Sequence, residues 1–201
     1  MKKILFLFCA LVLAGLPVSA QELSSADREK GVQYLEETRD GVVAAVSGLS
    51  DAQWHFKAAP DRWSIAECLE HIALAEDFLF TNVTQNVMKA GPGAADRDVA
   101  KIDAMVLAMI PDRSHKAQAP PQLVPTGRWT PEETLKHFLA SREKTIEFMK
   151  TEPGLRAHAT DMPAMGQQLD AYEWLLFIAA HSKRHTEQID EVKADANFPK
   201  S

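Results

Sequence analysis

Residues 63–83 read WSIAECLEHIALAEDFLFTNV, and this stretch decides how the whole chain is read. Ser64-Ile65-Ala66-Glu67 is a capping box: the Ser64 hydroxyl can accept from the Glu67 amide while the Glu67 carboxylate reaches back to the Ser64 amide. Behind that start, Ile65, Cys68, Ile72, Ala75, Leu79 and Val83 recur at threes and fours, which gathers them on one helix face. Pro60 and Asp61 break the pattern upstream, and Gly91-Pro92-Gly93 ends it downstream.

Working outward, the same period appears three more times. A first helix starts behind Ser24 or Ser25 and carries Val32, Leu35, Val42, Val46 and Leu49 as its apolar stripe. A third opens at Thr130-Pro131-Glu132-Glu133, an N-cap followed by a proline at the first helical position and a glutamate at the third. Leu135, Phe138, Leu139, Ile146 and Met149 give it a core side. The last helix runs from about Asp170 to Ala194. Between residues 91 and 128, Val99 to Ile110 can form a short extra helix, and prolines at 111, 120, 121 and 125 make the rest an irregular connection. A link of this length lets the third helix run parallel to the second. Residues from Pro153-Gly154 through Gln168 read as a polar stretch. There is no internal repeat and no low-complexity tract. The expected fold is all-α, one four-helix bundle over residues 21–201 with a long connection between its second and third helices.

The first twenty residues have the three parts of a secretory leader. Lys2 and Lys3 are the positive segment, Ile4 to Leu16 is the apolar run, and Val18-Ser19-Ala20 supplies the small residues before cleavage. Cleavage after Ala20 removes Cys9 and leaves 181 of the 201 residues, enough for one domain with a sizeable core. The expected destination lies across the inner membrane, in the periplasm. Leu175 to Ala180 is too short an apolar run to hold the processed chain in a membrane. Without the two leader lysines, 20 basic side chains face 28 acidic ones, a net charge of −8 that gives nucleic acid no electrostatic footing. Cys68 is then alone, so an oxidising compartment offers no internal disulfide; a small buried hydrophobe is its simplest role, and a fourth ligand or a nucleophile close to His71 is the other.

The chemistry is concentrated on the last helix. Trp174, Ile178, His181, His185, Gln188 and Val192 are spaced four, three, four, three and four, a single stripe. Two imidazoles occupy positions that a purely structural helix would fill with leucine or isoleucine. At a separation of four residues their rings stack on one face, and a divalent ion shared between them relieves the repulsion they would feel if both were protonated. His181-Ser182-Lys183-Arg184-His185 lacks the glutamate of the His-Glu-x-x-His metalloprotease motif. Glu67 and His71 are four apart, not the three that carboxylate-bridged di-iron bundles use. A third ligand must come from another helix. His71, beside Cys68 and Ile72 near the border of the apolar face, is the best candidate, and three histidines leave a coordination position open for water or substrate. A surface histidine near a helix start is the alternative reading of His71.

The segment Trp63-Ser64-Ile65-Ala66-Glu67 followed by His71, with His181-x-x-Arg184-His185-x-x-Gln188-Ile189 later, resembles the two signature segments of the DinB-like superfamily. Leu49-Ser50 with Trp54, and Trp129-Thr130, extend the resemblance over most of the processed chain. It implies a four-helix bundle of the DinB/YfiT-like type with His71, His181 and His185 holding one divalent transition metal, zinc or nickel first and manganese or iron next. It also implies a metal-dependent hydrolase, or a transferase or isomerase using a low-molecular-weight thiol such as bacillithiol, mycothiol or glutathione. The leader directs this chain away from the cytosol where such thiols are concentrated, which argues against one as co-substrate.

Other residues carry both a chemical and a plain reading. Glu67 can be a general base or only a cap, and Gln188 can orient a ligand or a bound water or only close the bundle end. Arg184 points away from His185 and is expected to pair with Glu187 or Asp190 on the surface. Trp54, Trp63, Trp129 and Trp174 read as packing where helices begin. His55, His115, His137 and His158 have no partner at useful spacing. The expected activity is hydrolysis or group transfer on a small molecule, with no nucleic-acid partner, no membrane after cleavage, and room for a homodimer. A non-catalytic periplasmic metal or ligand carrier, or a bundle whose metal is only structural, are the alternatives.

Overall fold

The computed structural model describes residues 22–114 and 118–200. The leader over residues 1–20, with Cys9, and His115 lie outside the described residues. The elements follow in the order α1 (Ser25–Val46), α2 (Asp51–His55), α3 (Ile65–Gln85), α4 (Val99–Met109), α5 (Pro131–Thr151), β1 (Ala159–Met162), β2 (Gln167–Asp170) and α6 (Ala171–Lys193). The bundle is made of α1, α3, α5 and α6.

Each bundle helix begins where a side chain satisfies its orphan amides. The Ser24 hydroxyl accepts from the Asp27 amide at α1. Reciprocal capping boxes close α3 with Ser64 and Glu67, α5 with Thr130 and Glu133, and α6 with Asp170 and Glu173. The six α3 residues placed on one face by their spacing are all buried. On α1, Leu35, Val42 and Val46 are buried as the stripe requires and Val32 is half-buried at its margin, whereas Leu49, expected on this stripe, lies beyond the helix end at Val46 and is half-buried there.

Helices α1 and α3 each pack against both α5 and α6, so α1 and α3 stand on one diagonal of the bundle and α5 and α6 on the other. Directions follow from which ends share a cluster. Phe138, near the start of α5, packs with Ile65 to Ala73, near the start of α3, and with Val42 to Val46 and Ile189 to Val192 from the ends of α1 and α6. Ile146 and Met149 from the end of α5 join Leu79 and Val83 from the end of α3. Helices α3 and α5 therefore run parallel, as the long connection allows, and opposite to α1 and α6. Gly31 permits the close approach of three helices at one end: a Cβ there would lie 2.8 Å from Met149 Cε and 2.8 Å from Tyr172 Cε2.

Besides the short helix α2 between Ser50 and Phe56, two larger features differ from the sequence reading. The polar stretch after Gly154 contains an antiparallel hairpin, with Ala159 opposite Asp170 and Met162 opposite Gln167. Those residues have no clear apolar alternation, so the ladder rests on its surroundings: Ala159 donates to the Gly91 carbonyl at 3.1 Å, and Arg156 ties Asp103 of α4 to Asp170. The second feature is a charged centre. Thr38, Arg142 and Ser182, with His181 and His185, fall along their helices between the two apolar clusters, and Arg142 is fully buried against Glu76. None of the helices among the described residues is long and apolar enough to cross a membrane.

Candidate metal centre

Because α3 and α6 are antiparallel neighbours, the inner face of α6 at His181 and His185 meets α3 at His71. The three imidazoles each offer one ring nitrogen, and those nitrogens all lie within 4.8 Å of one another. His71 Nε2 is 3.3 Å from His181 Nε2. Two nitrogens on a tetrahedral ion with bonds of about 2.0–2.1 Å stand about 3.3 Å apart, so the spacing suits a zinc-sized ion. Ring centroids are 4.4 Å apart for His71 and His185, 4.5 Å for His181 and His185, and 5.0 Å for His71 and His181.

Hydrogen bonds on the far side of two rings fix which nitrogen is free. His71 Nδ1–H donates to the Leu123 carbonyl at 2.8 Å, and His185 Nδ1–H donates to Gln188 Oε1 at 2.8 Å. Each leaves its Nε2 unprotonated, with that of His71 facing His181 Nε2, which is the tautomer a metal ligand needs. Arg113 Nη1 also donates to Gln188 Oε1, at 3.3 Å, and Arg113 is itself held by Glu191 through Nε at 2.6 Å and Nη2 at 2.8 Å. A guanidinium can only donate, so its contact agrees with an amide oxygen at that position.

The electrostatics favour uncharged rings. Burial lowers the affinity of all three for protons: His185 is pushed down to about 3, with repulsion from His71 second to burial, and His181 is driven well below the usual histidine value by burial and then by His185 and His71. His71 moves the same way, with the Leu123 carbonyl opposing. An unfolded histidine takes a proton near pH 6.5, which the folded His185 refuses until about pH 3. The stability that these buried, uncharged imidazoles contribute to the metal-free protein is therefore fully present above pH 6.5 and is lost progressively as the pH falls below that value. His185 alone accounts for about 2 kcal/mol of loss at pH 5. Urea unfolding of the metal-free protein and of metal-free His185→Ala at pH 7 and pH 5 measures this; the same pH dependence in both would contradict it.

Aromatic rings flank the triad. Trp63, placed just before the α3 cap, lies 4.8 Å from the His71 ring and 6.1 Å from that of His185. Phe177 is stacked against His181 with centroids 6.3 Å apart. These half-buried faces limit water around the imidazoles, and they give Trp63 a place in the site beyond helix-start packing.

The remaining candidates sort by what they touch. Glu67 accepts from the Ser64 amide at 2.7 Å and from Lys57 at 2.9 Å, so its carboxylate is engaged in the cap and a surface ion pair. Cys68 is buried in the apolar cluster that holds Ile65 and Phe138, with its thiol pushed up to about 12 by burial, a packing residue that is no part of the three-histidine group. Arg184 reaches back to the Ile110 and Asp112 carbonyls and fastens the end of α4 to α6. His137 pairs with Asp77 at 2.6 Å and His158 with the Ala90 carbonyl at 2.7 Å, partners from distant segments that no spacing announces. Sequence reasoning missed Leu123 and Arg113 entirely. A backbone carbonyl leaves no signature, and Arg113 lies in the connection whose course composition could not supply.

Comparison with known proteins agrees with this construction. The protein named "Uncharacterized protein YuaE" of Bacillus subtilis (strain 168) is 29% identical over 153 residues, covering 74% of this chain and 88% of that one. Among solved structures, YfiT from Bacillus subtilis, described as a probable metal-dependent hydrolase with an unusual four-helix bundle topology, matches with a TM-score of 0.55 at 15% identity, covering 88% of this chain and 91% of that one. At that identity the likeness is one of fold. The family model of the DinB superfamily matches residues 34–189, from α1 to the last turns of α6 and across all three histidines, and the chain belongs to that superfamily.

Proposed function

We propose that this chain is an exported metal-dependent enzyme, a hydrolase or thiol-type transferase acting on a small molecule, with His71, His181 and His185 as the metal ligands. The observation that carries the reading is the convergence of three ring nitrogens within 4.8 Å, two of them with the opposite ring nitrogen committed to an outward hydrogen bond. A solely structural polar cluster has no need to aim lone pairs at one another. The description of YfiT as a probable metal-dependent hydrolase supports the same chemistry.

When bound, a zinc-type ion supplies Lewis acidity, lowering the pKa of water towards ~7 and polarising an acyl oxygen. This chain's own residues contribute neutral donors, a fixed ring orientation and an aromatic surround. Gln188, held by Arg113, keeps His185 in register, and Leu123 does the same for His71. Three protein donors leave coordination positions for a substrate or a nucleophile. The Lys2-Lys3 leader with its Val18-Ser19-Ala20 end supports export to the periplasm.

The test is metal analysis of protein purified from its own periplasm without added metal, followed by turnover on a panel of esters, amides and activated thiol acceptors. Zinc or nickel near one equivalent, with turnover lost in His71→Ala, is the expected result. Metal without turnover on any of the panel would favour a carrier. Absence of zinc, nickel, manganese and iron after equilibrium dialysis would remove the proposal.

A further inference from the structure

The residue before His71 carries an unusual load. The Glu70 side chain is only 4% exposed, and its carboxylate accepts from the Thr126 amide at 3.0 Å, the Thr126 hydroxyl at 3.3 Å, the Gly127 amide at 2.8 Å and the Arg128 amide at 3.5 Å. Arg128 Nε adds an ion pair at 3.4 Å. Gly127 has φ +69, a left-handed backbone that directs consecutive amides at one anion and that a side chain would disfavour. Leu123, whose carbonyl holds His71 Nδ1, ends a 3₁₀ turn three residues before Thr126. One α3 residue thus offers an imidazole to the metal site, and its neighbour pins the turn that orients that imidazole.

Resting on the metal reading above, we infer that Glu70 is a positioning residue for the metal centre: it holds the 123–128 turn so that the Leu123 carbonyl keeps His71 Nδ1 protonated and Nε2 aimed at the metal. An outer partner that fixes a ligating ring typically changes metal affinity by about 10–100-fold. Glu70 acts one step further out, on the piece of backbone that is itself the outer partner. Coupling of this kind is reciprocal: whatever factor Glu70 adds to metal affinity, bound metal must return to the closed state of the turn. The ordering of the 123–128 turn and the occupancy of the site then reinforce each other.

The test uses the whole chain, zinc as the probe for affinity and cobalt as a spectroscopic probe. Glu70→Gln is expected to raise the zinc Kd about 10–100-fold by chelator competition, and to shift the visible absorption of the cobalt-loaded site as the His71 ring reorients. Asp77→Asn, on the same helix but outside the site, is expected to leave both within twofold. In the unaltered protein, saturating zinc is expected to slow exchange of the Thr126 and Gly127 amides by a factor like that lost in the variant. This last measurement decides the matter if Glu70→Gln does not fold. Unchanged affinity and spectrum in Glu70→Gln, or amides at 126 and 127 that exchange equally with and without zinc, would overturn the inference while leaving the metal centre intact. An unaltered chain that binds neither zinc nor cobalt would remove both.

Discussion

Replacing His71, His181 or His185 by alanine is expected to lower zinc affinity by more than ~100-fold, and Gln188→Leu by roughly 10–100-fold, since loss of an outer partner costs that much and loss of a donor costs more. The graded order is the point. His185 and Gln188 are linked by one hydrogen bond of 2.8 Å, so removing the donor atom and removing its support act on the same ring to different degrees. Thermal unfolding gives a second readout. Zinc present at 100 times its Kd stabilises the unaltered chain by about 2.7 kcal/mol, and a variant with affinity reduced 100-fold gains only a few tenths under the same conditions. The metal-free variants should show the opposite sign at low pH: without a buried base at position 185, the stability lost between pH 7 and pH 5 shrinks by about 2 kcal/mol. Equal zinc affinity in the unaltered chain and in all three alanine variants would mean that any metal sits elsewhere.

Helix starts were legible because capping is local chemistry. Ser64 with Glu67, and Thr130 with Pro131 and Glu133, carry their own hydrogen-bond partners within four residues, and no distant contact is needed to read them. The spacing of His181 and His185 was legible for the same reason, since one helix turn fixes their relation. His71 needed more: its convergence on the other two depends on α3 and α6 being adjacent and antiparallel, which no spacing within one helix states, and the family resemblance supplied the pairing. What failed to show was whatever depends on backbone from afar. Nothing in the residues of the connection announces that the Leu123 carbonyl will meet His71, or that amides 126–128 will meet Glu70. The hairpin at 159–170 escaped because its strands are four residues each and mostly polar. Arg142 did leave a trace. Phe138, Arg142, Ile146 and Met149 are spaced four, four and three, so an arginine stands on the apolar stripe of α5, and Glu76 stands four residues after Ile72 and three before Leu79 on that of α3. A charge of each sign on two facing stripes is a signal for a buried pair.

That pair predicts the largest loss of stability in the molecule outside the apolar core. Arg142 and Glu76 are both fully buried and meet through two bonds, Nε to Oε1 at 2.9 Å and Nη2 to Oε2 at 2.7 Å. The guanidinium has five N–H donors, and all five are used: the other three reach the Leu35 carbonyl at 2.9 Å, Thr38 Oγ1 at 2.8 Å and Ser182 Oγ at 2.7 Å. Thr145 donates to Glu76 Oε1 at 2.7 Å. One α5 side chain thereby bonds to the other three bundle helices, and through Ser182 it reaches the residue beside His181. Removing either partner strands a charge without water, so Arg142→Met or Glu76→Leu alone should cost about 3–5 kcal/mol, whereas the double variant should recover most of it because neither desolvated charge remains. Urea denaturation of the four proteins gives the coupling energy directly. The attraction offsets a heavy desolvation cost, so stability alone is a weak reason for the pair; fixing the axial register of four helices is a stronger one, because five directional bonds tolerate no one-turn slip. If so, the stabilised double variant should still lose zinc affinity, its imidazoles no longer held at one level. A double variant that folds and binds zinc like the unaltered chain would leave the pair without that role.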